Sequence, residues 1–131
     1  WRLLSTTEPR WRRSRAMARL LGDDADALDA LARDAAAPLT AADGSLEVAR
    51  LAALPRALRT RIIRTAAIAA GCPAGALSAD HVDRLEVLVS DWRGQGGVDL
   101  PGGLAGERAY GRLAIRRVPP VAERRRHDRE E

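Results

Sequence analysis

The sequence predicts an α+β fold that is mainly α, with a small antiparallel β element at its C-terminal end. Two patterns support this prediction. Apolar residues recur at helical spacing through most of the chain up to residue 92, and short apolar runs separated by glycine turns follow. A chain of 131 residues suffices for one modest domain, which buries roughly two thirds of its unfolded surface.

The first predicted helix covers residues 16–37. Its apolar residues follow the i, i+3/i+4, i+7 pattern, while five aspartates fall largely off that stripe. Gly22 weakens the helix by about 1 kcal/mol relative to alanine, and Pro38 ends it before a loop at residues 40–44. The stripe consists of Leu20, Leu21, Ala27, Leu28, Leu31 and Ala35.

Two further helices are predicted before residue 72. A short one covers residues 45–53, with Ser45 as its N-cap. Pro55 suits the first position of the next helix, since its missing N–H is not needed there. That helix runs to about Ala70, and Gly71 fits its C-terminal cap.

Ser78 is expected to cap a helix over residues 79–92, with Val82, Leu85, Val89 and Trp92 on one stripe. Trp92 is therefore interpreted as a core residue rather than a ligand contact. Glycines in the segment WRGQGG end this helix, and strands are expected at residues 98–100, 104–110 and 112–118. The predicted organisation is a basic linker at 1–15, a domain at 16–118 and a disordered charged tail at 119–131.

Charge is segregated along the chain. Residues 1–20, 50–77 and 108–131 are net basic, while residues 21–49 and 78–107 are net acidic. Basic blocks can form a phosphate-binding surface, and the acidic blocks can face solvent or pair with them. All 22 basic residues are arginine, so coding bias from a GC-rich genome is favoured over selection for guanidinium chemistry.

The helix after Pro55 carries four arginines and no acid within nine residues: Arg56, Arg59, Arg61 and Arg64. Guanidinium groups bind phosphate through two parallel hydrogen bonds, so these four residues are candidate RNA contacts. The alternative is a solvated face neutralised by the acidic first helix.

Two other segments are candidates for nucleic-acid contact. Arg10, Arg13 and Arg15 surround a tryptophan that could stack on a base, the alternative being a frayed terminus. In the WRGQGG segment, Arg93 and Gln95 could donate hydrogen bonds where glycines allow close approach, and the alternative is a simple helix stop.

No catalytic or metal site is predicted. Cys72, His81 and His127 are isolated, and no phosphate-binding glycine motif occurs. The single cysteine excludes an intrachain disulfide and favours a reducing compartment. No apolar run reaches the roughly 20 residues needed to span a bilayer, so no membrane partner is expected.

Three segments in order resemble the tRNA(Ile)-lysidine synthetase family, particularly its short actinobacterial forms. They are ARLLGDDADALDALA, LAALPRALRTRIIRTAAIAAG, and HVDRLEVLVSDWRGQGGVDLPGG followed by RAYGRLAI. The segment EPRWRRSRA is similar to the family's basic D-x-R-F-T-R-x-R-x-R linker, which aligns Arg10, Arg13 and Arg15 with its basic positions. The family's Leu-Pro-Leu-Leu helix is missing after it, which suggests a deletion or a defective gene model.

The resemblance implies a helical tRNA-binding domain of a cytoplasmic tRNA-modifying ligase, with isoleucine tRNA as its partner. Family members use ATP, with magnesium, to join lysine to the wobble cytidine of the CAU anticodon, giving lysidine. Their S-G-G-x-D-S pyrophosphate loop does not occur here. The chain is therefore expected to hold no cofactor, to lack catalysis alone, and to depend on a separate or missing catalytic domain. The oligomeric state is not predicted. The alternative is a non-catalytic helical interaction module or an inert truncated product.

Overall fold

The computed structural model describes residues 10–119, and their side chains from residue 23 onward. This part of the chain contains four helices and four strands, which confirms the predicted α+β class. The helices are α1 (Arg10–Ala36), α2 (Val48–Ala52), α3 (Arg56–Ala70) and α4 (Ala79–Ser90), and a 3-10 turn (Ala37–Leu39) extends α1. The strands are β1 (Leu46–Glu47), β2 (Val98–Leu100), β3 (Leu104–Ala109) and β4 (Arg112–Arg117).

The ends of α3 and α4 are set by the residues that the sequence indicates. Pro55 precedes α3, and Gly71 ends it with a φ of 121°, a backbone conformation that favours glycine. At α4 the Ser78 hydroxyl accepts from the His81 backbone N–H, and the His81 ring nitrogen Nδ1 accepts from the Ser78 N–H. This reciprocal capping box confirms Ser78 as the N-cap.

The four strands form one antiparallel sheet in the order β1-β4-β3-β2. Leu46 lies opposite Leu113, so the first strand joins the edge formed by the last. A two-residue turn, Tyr110–Gly111, connects β3 to β4, and both residues have positive φ, 53° and 72°. This is the backbone of a type I′ turn, whose twist matches that of the two strands.

The core lies between one face of the sheet and the helices α3 and α4, while α1 packs on α3. Its largest fully buried side chains are aliphatic, as expected for a chain without phenylalanine. Burial of these side chains from both helices and sheet stabilises one shared core. They are Leu46, Leu51, Ile63, Leu85, Leu88, Leu104 and Leu113.

Helix α4 lies very close to the sheet at Gly106. Gly106 sits in the middle of β3, opposite Ile115 and Val98. A Cβ atom at this position would overlap the Leu85 side chain of α4. Glycine inside a strand permits such a close approach, and here it allows Leu85 to seat directly on the backbone of the sheet.

Three sequence-based boundaries are wrong. Helix α1 begins at Arg10 instead of residue 16. The expected helix over residues 45–53 is instead β1 followed by the short α2, since pairing of Leu46 with Leu113 outweighs local helix preference. Ser45 therefore does not cap a helix. Helix α4 stops at Ser90, which leaves Trp92 outside it.

The remaining boundaries agree closely with expectation. Strand β2 has the predicted limits, and β3 and β4 each end one residue early. The tail from residue 120 onward lies outside the described residues, and the proposed limits of linker, domain and tail stay predictions. Among residues 10–119, no helix is both long enough and apolar enough to cross a membrane.

Candidate nucleic-acid interface

Arg56 and Arg59 of α3 converge on the carboxylate of Glu86 in α4. Arg56 Nη1 lies 3.1 Å from Glu86 Oε2, and Arg59 Nε donates to Oε1 at 2.9 Å. The Glu86 side chain is only 3% exposed. A carboxylate buried to this extent needs charged hydrogen-bond donors, and the two guanidinium groups supply them.

Other groups complete this cluster. The Ser90 hydroxyl donates to Glu86 Oε2 at 3.1 Å, and Arg59 Nη1 donates to the Leu54 carbonyl oxygen at 2.6 Å. Arg56 also bonds Asp83, with 2.9 Å between Nη2 and Oδ1. Arg59 is 17% exposed and Arg56 is 58% exposed. Arg59 is therefore part of the interior contact between α3 and α4, while Arg56 still faces solvent.

The other two arginines of α3 also have acceptors within the protein. Arg61 Nε lies 3.1 Å from Asp29 Oδ1 on α1, and its Nη1 donates to the Ala57 carbonyl oxygen. Arg64 donates to the carbonyl oxygens of Leu77 and Ala74, at 3.0 and 3.2 Å. Arg61 thus links α3 to α1, and Arg64 fixes the connection that leads to α4.

The alternative of a solvated face neutralised by the acidic first helix fits the contacts of Arg61, which pairs with Asp29 of α1. Among the described residues, the acids that pair with Arg56 and Arg59 come from α4 instead. Binding of phosphate by Arg56, Arg59, Arg61 and Arg64 stays a prediction, for which Arg56 has the most exposed side chain.

Glu86 is the residue of this cluster that the sequence analysis missed. It lies four residues after Val82 and three before Val89, which places it on the apolar stripe of α4. An acid on such a stripe indicates a buried ion pair, and the arginines of α3 are its natural partners.

The WRGQGG loop brings Arg93 and Gln95 together. The Arg93 backbone N–H donates to Gln95 Oε1 at 2.6 Å, and Arg93 Nε lies 3.3 Å from Asp91 Oδ1. The Arg93 side chain is 81% exposed. The Gln95 side chain thus supports its own loop, and Arg93 presents its guanidinium group to solvent.

Trp92 does not belong to the core, contrary to the sequence-based interpretation. It is 42% exposed, because the chain leaves the helical path before it and the stripe of α4 no longer directs it inward. The guanidinium carbon of Arg108 lies 4.5 Å from the centre of the Trp92 ring. Arg108 Nη1 also donates to the Leu88 carbonyl oxygen at 3.0 Å. Arg108 therefore holds the ring at the surface through a cation–π contact.

Tyr110 is the most exposed large hydrophobic residue in the described part of the chain, at 104% of its reference area. It occupies the turn between β3 and β4 with a φ of 53°. Bulky residues rarely adopt this left-handed conformation, which costs of order 1–3 kcal/mol. The sequence analysis placed Tyr110 at the end of the strand predicted over residues 104–110, so its position in the turn was not expected.

A polar cluster joins the loop after α1 to the sheet. Asp43 Oδ1 accepts from the backbone N–H and the hydroxyl of Ser45, at 2.9 and 2.7 Å. Arg112 donates to the same hydroxyl and to the Ser45 carbonyl oxygen. The hydrogen bond from the Ser45 side chain, then that from its backbone, and the nearby charges of Arg116 and Arg112 lower the pKa of Asp43.

Cys72 and His81, two of the three isolated positions, have structural roles. Cys72 is buried, and burial raises the pKa of its thiol. His81 serves the capping box of α4. Within residues 10–119 no group of three or more His, Cys, Asp or Glu side chains could hold a metal ion. His127 lies outside the described residues.

Arg10, Arg13 and Arg15 belong to α1. Their side chains lie outside the described part of the structure, so their contact with nucleic acid stays a prediction.

A groove of about 1030 Å³ lies between α1 and α3. Small and aliphatic side chains such as Ala36, Ala66 and Ile68 form much of its wall, and Ile115 of β4 reaches its end. Its ionisable residues include Asp29 and Arg61, which pair with each other across it. The groove is therefore a mostly apolar depression crossed by one ion pair.

More than half of the sequence matches the model of a known protein family. The family model described as the TilS substrate binding domain matches residues 46–114, which run from the first residue of β1 into β4. The matched segment thus contains β1, β2 and β3, the first three residues of β4, and the helices α2, α3 and α4.

Relatives carry names consistent with this match. The tRNA(Ile)-lysidine synthase of Thermobifida fusca is 54% identical over 98 residues, which cover 75% of this chain and 30% of that protein. The protein of the same name from Streptomyces coelicolor is 52% identical over 99 residues, covering 76% of this chain and 28% of the relative. That from Salinispora arenicola is 47% identical, with 75% and 29% covered. The chain spans less than a third of the length of these relatives.

Proposed function

The chain belongs to the TilS substrate binding domain family, and from this premise we propose that it is the tRNA-binding part of a tRNA(Ile)-lysidine synthase. The observation that carries the proposal is the match over residues 46–114, which spans β1, β2, β3, the first half of β4 and the helices between them. Relatives named tRNA(Ile)-lysidine synthase, 47–54% identical to the chain, support the same assignment.

The proposed role is binding, and we assign no chemical step to this chain. The tRNA would be the isoleucine tRNA with a CAU anticodon. Activation of its wobble cytidine with ATP and magnesium, followed by attack of lysine, would take place in another part of the full-length protein. This role would be exercised in the cytoplasm, where tRNA is modified.

Exposed guanidinium groups give this role a physical basis. Arg93 and Arg116 have mostly exposed side chains, and their carboxylate contacts within the described residues are long, at 3.3 Å to Asp91 and 3.7 Å to Asp43. Such surface pairs contribute little to stability, so a phosphate can replace the carboxylate at small cost. Arg59 and Arg64 would instead keep the shape of the surface, because their donors bind groups inside the protein.

Binding of an isoleucine tRNA transcript to the chain over a salt series tests this proposal. Contacts with phosphates release counterions, so the logarithm of affinity should fall linearly and steeply with the logarithm of salt concentration. Arg93→Ala should weaken binding and reduce the slope. Arg84→Ala is the matched control, since Arg84 is also exposed and paired with an acid, Asp80, near the opposite end of α4.

The outcome that would overturn the proposal is lack of tRNA binding at low salt by a chain that unfolds cooperatively. Circular dichroism with a melting curve supplies that second measurement. Absence of a cooperative transition would instead favour the inert truncated product. A chain that folds but does not bind tRNA would favour a helical interaction module.

A further inference from the structure

The type I′ turn requires a positive φ at residue 110, but it does not require a tyrosine there. The Tyr110 side chain is fully exposed, so packing does not stabilise it, and its backbone lies in a conformation that glycine or asparagine adopts more easily. A strained residue that contributes no burial points to a use outside the folding of the domain. The exposed part of Tyr110 is a flat aromatic ring.

Trp92 is a second exposed ring, and it is held in place. One contact is with the guanidinium group of Arg108, which is itself anchored on the carbonyl oxygen of Leu88. An anchored ring loses little conformational freedom when a ligand binds, so the arrangement is preorganised for stacking.

The two rings belong to the same end of the sheet. Arg108, which touches Trp92, precedes Tyr110 by two residues, a spacing of roughly 7 Å at the rise of a strand. The loop that carries Trp92 approaches the same strand, since a Cβ on Gly97 would lie 3.0 Å from the Gly106 carbonyl oxygen. Trp92, Arg93, Arg108 and Tyr110 are called the aromatic–arginine surface below.

The surroundings of the rings favour RNA over a protein partner. Arg93 and Arg108 place positive charge beside Trp92, and the neighbouring Asp91 is paired with Arg93. The loop that follows Trp92 consists of arginine, glutamine and glycine, whereas the centre of a protein interface is apolar and depleted of charge. Aromatic rings beside arginines are the usual means of binding unpaired bases and their phosphates.

We propose that the aromatic–arginine surface binds unpaired nucleotides of the tRNA, with Tyr110 and Trp92 stacking on bases and Arg93 contacting phosphate. This inference rests on the proposed function and moves the principal RNA contact from the arginines of α3 to the turn between β3 and β4. Arg108 acts as a positioning residue for Trp92.

The test uses the chain with Trp1→Phe and Trp11→Phe, so that Trp92 is the only source of tryptophan fluorescence. The probes are a single-stranded RNA oligonucleotide, the same oligonucleotide annealed to its complement, and the isoleucine tRNA transcript. Single-stranded RNA should quench Trp92 and bind more tightly than the duplex. Tyr110→Gly should weaken this binding by about tenfold, whereas Tyr110→Phe, which keeps the ring, should bind like the parent.

Ile68→Ala is the control for loss of an exposed apolar side chain. Ile68 is 40% exposed, close to the 42% of Trp92, but it lines the groove between α1 and α3. It should leave the affinity unchanged. Equal binding of single-stranded RNA by Tyr110→Gly and its parent, or equal quenching by duplex and single strand, would overturn the inference.

The two proposals fail in different ways. If tRNA binds the parent and Tyr110→Gly equally well, the aromatic–arginine surface is excluded and the tRNA-binding role survives. If the tRNA transcript does not bind at low salt, the tRNA-binding role fails, and the single-stranded probe still reports on the surface directly. No quenching of Trp92 by any of the three RNA probes would overturn the inference.

Discussion

Arg59 Nη2 lies 2.9 Å from Glu86 Oε1, and this ion pair joins α3 to α4 within their buried interface. The arginine side chain is only 17% exposed and the glutamate side chain 3%, so water solvates neither charge well. The pair therefore has to be satisfied within the protein, and Ser90 and the Leu54 carbonyl oxygen supply the remaining bonds.

Removal of the Glu86 carboxylate should destabilise the domain strongly. Glu86→Ala leaves Arg59 charged and without its acid, and loss of one partner of a buried pair costs about 3 kcal/mol. The free energy of unfolding from urea titration measures the effect. Asp83→Asn is the control, since it removes an exposed partner of Arg56 and should cost less than about 1 kcal/mol. Similar losses for the two variants would contradict the structural role of Glu86.

Gly106→Ala should destabilise the domain by about 1–3 kcal/mol, because the new methyl group overlaps Leu85 and overpacks the contact between α4 and β3. Thermal denaturation followed by circular dichroism measures the change. Gly96→Ala is the matched control, since no atom lies within 4 Å of a Cβ there, and its melting temperature should stay close to that of the parent. A Gly106→Ala protein as stable as Gly96→Ala would refute the close approach of α4.

Tyr110→Gly should stabilise the chain by about 1 kcal/mol while it weakens binding of RNA. Glycine relieves the left-handed strain at φ 53°, and the lost tyrosine side chain is not buried. Tyr110→Ala separates the two effects, since alanine keeps the strain but lacks the ring. We expect Tyr110→Ala to melt near the parent temperature, and a Tyr110→Gly protein that melts lower would show that the tyrosine is not strained.

Asp43 should make stability depend on pH. Hydrogen bonds from Ser45 lower its pKa in the folded state, so its contribution is present above the unfolded pKa of about 3.9 and is lost as pH falls through the folded value. The stability difference between the parent and Asp43→Asn should therefore be largest near neutral pH and shrink under acid conditions. Urea midpoints at a series of pH values measure it.

Ser45→Ala provides the control for Asp43, because it removes the hydroxyl that donates to the carboxylate. In that background the difference between aspartate and asparagine should depend less on pH. A difference that is the same with and without the hydroxyl would show that the hydrogen bond from the Ser45 side chain does not set the pKa of Asp43.

Local signals in the sequence account for most of the fold. Gly71, Ser78 and the glycines after residue 100 act through their own backbone conformation or capping bonds, so their effects can be predicted from short segments. The strand at Leu46 was missed because it depends on Leu113, far away along the chain. Pairing over such a distance outweighs local preference and leaves no local pattern to detect.

The candidate site was less predictable than the fold. The arginines of α3 are conspicuous in the sequence, but their partners, Glu86 above all, follow only from how α3 packs on α4. The exposure of Trp92 depends on where α4 ends, a boundary that shifts by two residues between prediction and structure. The strain at Tyr110 is a property of backbone angles, which residue types alone do not specify.

The pairing of β1 with β4 also constrains how the domain forms during synthesis. Arg112 donates hydrogen bonds to Ser45, which lies 67 positions earlier. The first strand can therefore pair with β4 only after nearly the whole domain has been translated. Contacts so distant in sequence form late, and until then Leu46 and its neighbours remain exposed on the ribosome. A nascent chain interrupted before β4 would leave the sheet open at its first edge and the polar cluster at Ser45 without Arg112.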